Sequence, residues 1–170
     1  PSMPTGQFGI TSGPLLAGGA LFDITVHGQG AHGAFPHHSK DPVLTASEIV
    51  VSLQRIVARR FNPLEAGVVS VTMFKAGDAY NVIPKTAVIG GTARAFSREG
   101  LAIIEEEMQR IGKGIAAAHN VTADVDFRIT FAPTVNAERE AGIIADAASE
   151  LAGEFNVERN HSLISGSEDF

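Results

Sequence analysis

Alternating apolar and polar positions predict four strands along the middle of the chain. In residues 20–27, Phe22, Ile24 and Val26 alternate with polar residues, so one face of this strand is buried and the other faces water. Residues 121–131 show the cleanest alternation in the sequence, with apolar side chains at every second position. Two further strands are predicted between these, over residues 68–75 and 86–96.

Apolar positions at 3-4 spacing predict one helix after the first strand and another before the last strand. Asp41 as N-cap, followed by Pro42, marks the start of the first helix, which extends to about Arg60. Its predicted core face comprises Val43, Ala46, Val50, Leu53 and Val57. The second helix is predicted from the N-cap Ser97 to Asn120, with a core face of Leu101, Ile104, Met108, Ile111, Ile115 and Ala118.

The order of these elements is β-α-β-β-α-β over residues 18–132, which predicts an α+β, ferredoxin-like unit. We expect a four-stranded antiparallel sheet with both helices on one face. A further helix is predicted after it, with Asn136 as N-cap, followed by a short strand near residues 155–159. The predicted core face of that helix comprises Ile143, Ile144, Ala147 and Leu151.

Composition excludes several classes of protein. The 170 residues contain no cysteine, so neither a disulfide framework nor a thiolate metal site is expected. The net charge of −6 and the acidic residues on the predicted open sheet face argue against a nucleic-acid partner.

No apolar run approaches the roughly eighteen residues of a membrane helix, and no basic-then-apolar leader opens the chain, so we expect a cytoplasmic protein without a membrane partner. Because it starts at Pro1 and stops at Phe170, we interpret the chain as a piece of a longer protein.

Four of the six histidines lie in the stretch HGQGAHGAFPHH, residues 27–38. Their spacing matches no recognised ligand pattern, and the segment has no nearby carboxylate except Asp41, so we expect no metal site formed by this stretch. His37 and His38 are explained as polar residues on a solvated loop. His32 differs because glycines on either side let it approach a ligand closely. The local pattern leaves open whether His32 is functional.

Three other positions are candidates for binding. In GDAYNVIPKTA, Asn81 could simply be a residue that tolerates a turn. Arg94 lies in GGTARAF, where small neighbours leave room for a carboxylate beside the guanidinium, although a surface ion pair is the alternative. The last segment, SGSEDF, is a small-residue loop that carries two acids, Glu168 and Asp169.

Taken together, the motifs GQGAHGAFPHHSKDPV, NVIP, GGTARAF and GSEDF, in this order and spacing, resemble the aminoacylase and hippurate hydrolase-like amidohydrolases. This family includes the plant indole-acetyl-amino acid hydrolases, and the resemblance covers essentially the whole chain. It implies an α/β catalytic domain with two metal ions, interrupted by a ferredoxin-like lid that also mediates dimerisation. Residues 18–132 would be this lid, and residues 1–17 and 133–170 would be fragments of the catalytic domain.

The resemblance also implies roles for individual residues. His32 matches the catalytic lid histidine that reaches across the dimer and stabilises the oxyanion. Asn81 matches an asparagine that supports substrate binding, and Arg94 matches the arginine that holds the substrate carboxylate. Glu168 and Asp169 match an active-site loop that borders the metal site, with no role assigned. None of the family's metal ligands has a counterpart in this chain, so two divalent ions (zinc, manganese, cobalt or nickel) would be bound by residues outside it.

These implications predict a fragment of a metal-dependent amidohydrolase that cleaves N-acyl or aromatic-acyl amino acids by metal-activated water. Its partners would be a small-molecule N-acyl amino acid as substrate and a second copy in a homodimer formed through the lid. One alternative is that the isolated chain is a non-catalytic dimerisation module, with the edge strand at residues 68–75 as the seam. Another is a free-standing ferredoxin-like ligand sensor, which the clipped appearance of both ends disfavours.

Overall fold

The computed structural model describes residues 3–167, which form strands, α-helices and two 3-10 turns in an α+β arrangement. In chain order, the elements are β1 (Phe8–Gly9), β2 (Gly13–Leu16), β3 (Gly18–His27), β4 (Ala31–His32), α1 (Pro42–Leu53), α2 (Arg55–Arg60), β5 (Gly67–Ala76), β6 (Val82–Ile83), β7 (Thr86–Ala95), α3 (Arg98–Ala118), β8 (Thr122–Phe131), β9 (Thr134–Asn136), α4 (Glu138–Ala152) and β10 (Val157–Glu158). The 3-10 turns are Pro36–His38 and Glu154–Asn156. The predicted α+β class is confirmed.

Four long strands form an antiparallel sheet in the order β5-β7-β3-β8. The central strand β3 pairs with β7 along its whole length, from Gly18 opposite Ala95 to His27 opposite Thr86. The helices α1 and α3 pack on one face of this sheet and enclose the main core. The alternation in β3 determines which face is buried, because the apolar side chains at every second position are fully buried: Phe22, Ile24 and Val26. The predicted ferredoxin-like arrangement is therefore confirmed.

The first predicted helix is two helices, since α1 ends before Gln54 and α2 begins after it. The predicted start is confirmed, because the Asp41 carboxylate accepts the N–H groups of Val43 and Leu44 at 2.8 and 3.2 Å. The predicted core face is wrong in part. The positions buried most deeply are Thr45, Ala46, Ile49, Leu53 and Ile56, whereas three of the predicted residues, Val43, Val50 and Val57, are half-buried. Apolar residues on several sides of this segment explain the error, because spacing alone then selects no single face.

A buried carboxylate joins α2 to α3. Glu107 on α3 is only 3% exposed, and its Oε1 lies 3.2 Å from the Nε of Arg110 and 2.8 Å from the Nε of Arg60 at the end of α2. The hydrogen bond from Arg110 holds the pKa of Glu107 below its usual value of 4.5, although burial acts in the opposite direction. Glu107 is therefore ionised at neutral pH and shared by two cations.

The segments on either side of the sheet unit pair with each other. Strand β2 lies antiparallel to β9, and β1 lies parallel to β10. We call residues 3–17 and 133–167 the flanking segments. No helix among residues 3–167 is both long and apolar enough to cross a membrane.

Two predictions for the second flanking segment are wrong. Asn136 is not the N-cap of α4, because it ends β9 and its side-chain amide donates to the Thr11 carbonyl at 2.9 Å. The helix starts at Glu138 instead. Its predicted core face is exposed at Ile143 (55%), Ile144 (59%) and Leu151 (81%), while the buried positions are Ala145 and Ala148. These larger side chains have no apolar surface to cover them within residues 3–167.

Candidate functional site

The histidine-rich loop that follows His27, residues 28–38, meets the connection between β5 and β7, residues 77–85, at one end of the sheet. Strand β4 pairs with β6, which places His32 opposite Val82. The N–H of Gly33 donates to the Asn81 carbonyl at 2.7 Å, and an added Cβ on Gly33 would lie 3.3 Å from that oxygen. The side chains of His32 and Asn81 are both exposed. The structure thus brings together two predicted site residues that lie far apart in sequence.

The His32 ring is held by its own loop. Its Nδ1 accepts the N–H of Ala34 at 3.1 Å, and its ring centroid lies 5.7 Å from that of Phe35. A neutral imidazole whose Nδ1 is an acceptor carries its hydrogen on Nε2. The loop therefore points one hydrogen-bond donor away from itself, which is the arrangement that a developing negative charge on a ligand requires.

His37 and His38 lie in the 3-10 turn that follows His32. Their ring centroids are 4.1 Å apart, and each lies about as close to Phe35 as His32 does, at 6.3 and 6.1 Å. Neither approaches a carboxylate within hydrogen-bonding distance among the described residues. Across residues 3–167, no group of three or more histidine, aspartate or glutamate side chains is arranged to hold a metal ion.

Arg94 lies at the opposite end of the sheet, on the face that the helices leave open. It pairs with Gly19 of β3 and with Val68 of β5. Its Nη1 donates to the Ser167 hydroxyl, which in turn donates to the Ala17 carbonyl at 2.9 Å. Ser167 is not among the predicted site residues, and its only signal in the sequence is its place in the SGSEDF motif.

The predicted site residues therefore fall into two groups. Arg94 lies opposite Gly19, and His27 lies eight residues further along β3. At about 3.3 Å per residue, this separates the Arg94 end from the His32 end by about 26 Å. One small molecule cannot contact both groups in one copy of the chain. Glu168 and Asp169 lie outside the described residues.

Residues 16–120, more than half of the chain, match the family model described as the M20 peptidase dimerisation domain. The chain belongs to the M20 peptidase family. This membership confirms the resemblance to the aminoacylase and hippurate hydrolase-like amidohydrolases. Similar proteins occur in both bacteria and plants.

Two curated M20 relatives align along nearly the whole chain. A hippurate hydrolase from Campylobacter jejuni is 37% identical over 172 residues, which cover 99% of this chain and 45% of the relative. The IAA-amino acid hydrolase ILR1-like 4 of Arabidopsis thaliana is also 37% identical, over 97% of this chain and 38% of the relative. The chain thus spans less than half the length of these relatives.

The fold has a counterpart among solved M20 structures. The Bacillus subtilis YXEP protein, described as a dinuclear metal-binding peptidase of the M20 family, superimposes with a TM-score of 0.72 at 28% identity. The match covers 97% of this chain and 40% of that protein. The M20 likeness therefore extends through both flanking segments as well as the sheet unit.

Proposed function

We propose that residues 18–132 are the lid of a metal-dependent amidohydrolase that cleaves N-acyl amino acids, including aromatic-acyl ones. Residues 1–17 and 133–170 would then belong to its catalytic domain. The M20 membership supports this proposal, as do relatives that are named for hydrolysing hippurate and IAA-amino acids.

The flanking segments support their assignment to the catalytic domain. The pairing of β2 with β9 holds the entry and exit of the lid side by side, as an inserted domain requires. The apolar side chains of Ile143, Ile144 and Leu151 on α4 are exposed, as expected of a helix that packs against a further part of a domain. The remainder of the catalytic domain would cover them.

The observation that carries the proposal is the His32 loop. Its Nδ1 is occupied by the Ala34 N–H, so the neutral ring presents an Nε2–H outward. Such a fixed donor stabilises the oxyanion that forms when water attacks an amide carbonyl. Asn81, held in the same tip by the hydrogen bond from Gly33, would support the bound substrate.

Arg94 would hold the free carboxylate of the substrate. A guanidinium binds a carboxylate through two parallel N–H groups, so the complete enzyme would prefer acids over the corresponding amides or esters. Arg94 is half-buried on the open sheet face, so its charge is accessible while its position is restricted.

Because Arg94 and His32 lie at opposite ends of the sheet, we propose that they serve two different active sites in a homodimer. His32 and Asn81 would reach the substrate bound by the partner subunit, and Arg94 would act in its own subunit. Two features support association through the lid. Strand β5 is an edge of the sheet, and Leu44 and Val51, two turns apart on α1, are 59% and 73% exposed.

Two divalent metal ions would activate the water in the complete enzyme, with zinc, manganese, cobalt and nickel as the candidates. The described residues do not fit such a centre, since none of their histidines approaches more than one carboxylate, as His27 does with Asp124 and His119 with Glu48. The ligands would therefore lie outside this chain. The proposed enzyme is cytoplasmic.

The test is hippurate hydrolysis by the full-length enzyme with His32→Ala. Loss of one oxyanion donor costs about a hundredfold or more in kcat, so we expect at least that decrease with a KM close to wild type. His37→Ala, which removes an imidazole from the same loop, should retain nearly full activity. Near-wild-type turnover by His32→Ala would refute the catalytic role. The isolated chain should show no turnover, because as it stands it would act only as a dimerisation module.

A further inference from the structure

We propose that Gly19 and Ser167 are positioning residues that fix the guanidinium of Arg94 for the substrate carboxylate. The inference rests on the carboxylate role proposed for Arg94 above. It assigns a function to one glycine at the start of the lid and to one serine in the second flanking segment.

Gly19 provides the space that the arginine occupies. It lies directly opposite Arg94 in the pairing of β3 with β7. A Cβ added to Gly19 would overlap Nη1 of Arg94 and lie 3.2 Å from its Cζ. The same Cβ would lie 3.3 Å from the Ser167 hydroxyl. Since these distances are shorter than ordinary van der Waals contact, any side chain at this position would push the guanidinium off the strand.

Ser167 fixes the direction of the guanidinium. A serine hydroxyl has one hydrogen, and Ser167 gives it to the Ala17 carbonyl at 2.9 Å. Its lone pairs are thereby directed towards Arg94, whose Nη1 donates to them. The serine is itself held in place, because the N–H of Ala17 donates to the carbonyls of Ile164 and Gly166 at 3.0 and 3.2 Å.

This arrangement uses one of the five N–H groups that a guanidinium carries. The others remain in a fixed plane, which is what bidentate recognition of a carboxylate needs. An arginine without these two neighbours would sample several rotamers and would bind the carboxylate at the cost of ordering its side chain. Gly19 and Ser167 would therefore affect substrate affinity and leave the chemical step unchanged.

The experiment compares Gly19→Ala and Ser167→Ala with wild type in the full-length enzyme. Each variant is assayed with N-benzoylglycine and with N-benzoylglycinamide, which lacks the free carboxylate. We expect KM for the acid to rise about tenfold in each variant, with kcat within about twofold of wild type and little change for the amide. Ser167→Thr, which keeps the hydroxyl, should restore KM. Gly114→Ala is the matched control, because a Cβ there meets no atom within 4 Å.

Arg94→Ala separates this inference from the proposed function. If Arg94→Ala leaves KM for the acid unchanged, the carboxylate role itself fails. If Arg94→Ala raises KM while Ser167→Ala and Gly19→Ala do not, only the positioning inference is overturned. An equal loss with acid and amide would also overturn it, because a general structural defect would then explain the effect. Should Gly19→Ala fail to fold, the comparison of Ser167→Ala with Ser167→Thr decides.

Discussion

The buried carboxylate of Glu107 provides a quantitative test of how the lid is stabilised. Glu107→Gln keeps the size of the side chain but removes the charge shared by Arg110 and Arg60. Hydrogen bonds to charged groups contribute about 1.5–3 kcal/mol each. Both arginine side chains are more than half exposed, at 57% and 54%, so water replaces part of what they lose. We therefore expect a loss of about 2 kcal/mol in the free energy of unfolding at pH 7.

The loss should depend on pH in one direction. Because the folded protein holds the pKa of Glu107 below its usual value of 4.5, its charge stabilises the fold above that pH. This contribution disappears as the pH falls through the folded-state pKa, where Glu107 becomes protonated. The difference in stability between wild type and Glu107→Gln should therefore be complete at pH 7 and should shrink progressively below about pH 4.5.

Urea unfolding of the 170-residue chain at a series of pH values, followed by circular dichroism, measures the loss in the free energy of unfolding and its dependence on pH. Thermal unfolding gives an independent check. A loss of about 2 kcal/mol corresponds to a decrease of about 4–8 °C in melting temperature for a chain of this size. Glu106→Gln is the matched control, since it makes the same change at an exposed neighbour and should stay within about 0.5 kcal/mol of wild type. Equal stability of wild type and Glu107→Gln at pH 7, or a difference that persists undiminished at pH 3, would refute the reasoning.

Two further predictions concern the tip and the outer face of the lid. Long-range nitrogen–hydrogen NMR correlations should show neutral His32 with its hydrogen on Nε2, whereas a hydrogen on Nδ1 would contradict the bond from Ala34. In sedimentation equilibrium, the chain should dimerise, and Val51→Asp should shift it towards monomer because an unpaired charge would be buried at the seam. Leu151→Asp adds the same charge to an exposed apolar position outside the lid and should leave the association unchanged.

The sheet unit could be predicted from the sequence because local patterns and tertiary contacts agree there. Strands β3 and β8 alternate cleanly, and α3 has a polar side that contrasts with its core face. The break at Gln54 could not be predicted, because neither glycine nor proline marks it. The prediction of the buried face of α4 was wrong for a different reason. Its large apolar residues have no partner surface within residues 3–167, so the most hydrophobic positions are not the buried ones.

The candidate site was predictable only as separate residues. His32, Asn81 and Arg94 each carry a local signal or a family motif, but their arrangement depends on pairings between distant segments. The contact of Arg94 with Ser167 joins residues 73 apart, and no periodicity encodes it. Gly19 is similar, since a glycine in a strand has many explanations until the side chain lying across it is known.

The length of β3 has a genetic consequence. This strand keeps the end that carries Arg94 about 26 Å from the end that leads to His32, so on the proposed arrangement each copy contributes to both active sites of a dimer. A subunit with His32→Ala and a subunit with Arg94→Ala would each be defective alone. When they assemble together, one site combines the intact arginine of the first with the intact histidine of the second. Two defective alleles would therefore complement each other, with a strand of fixed length as the cause.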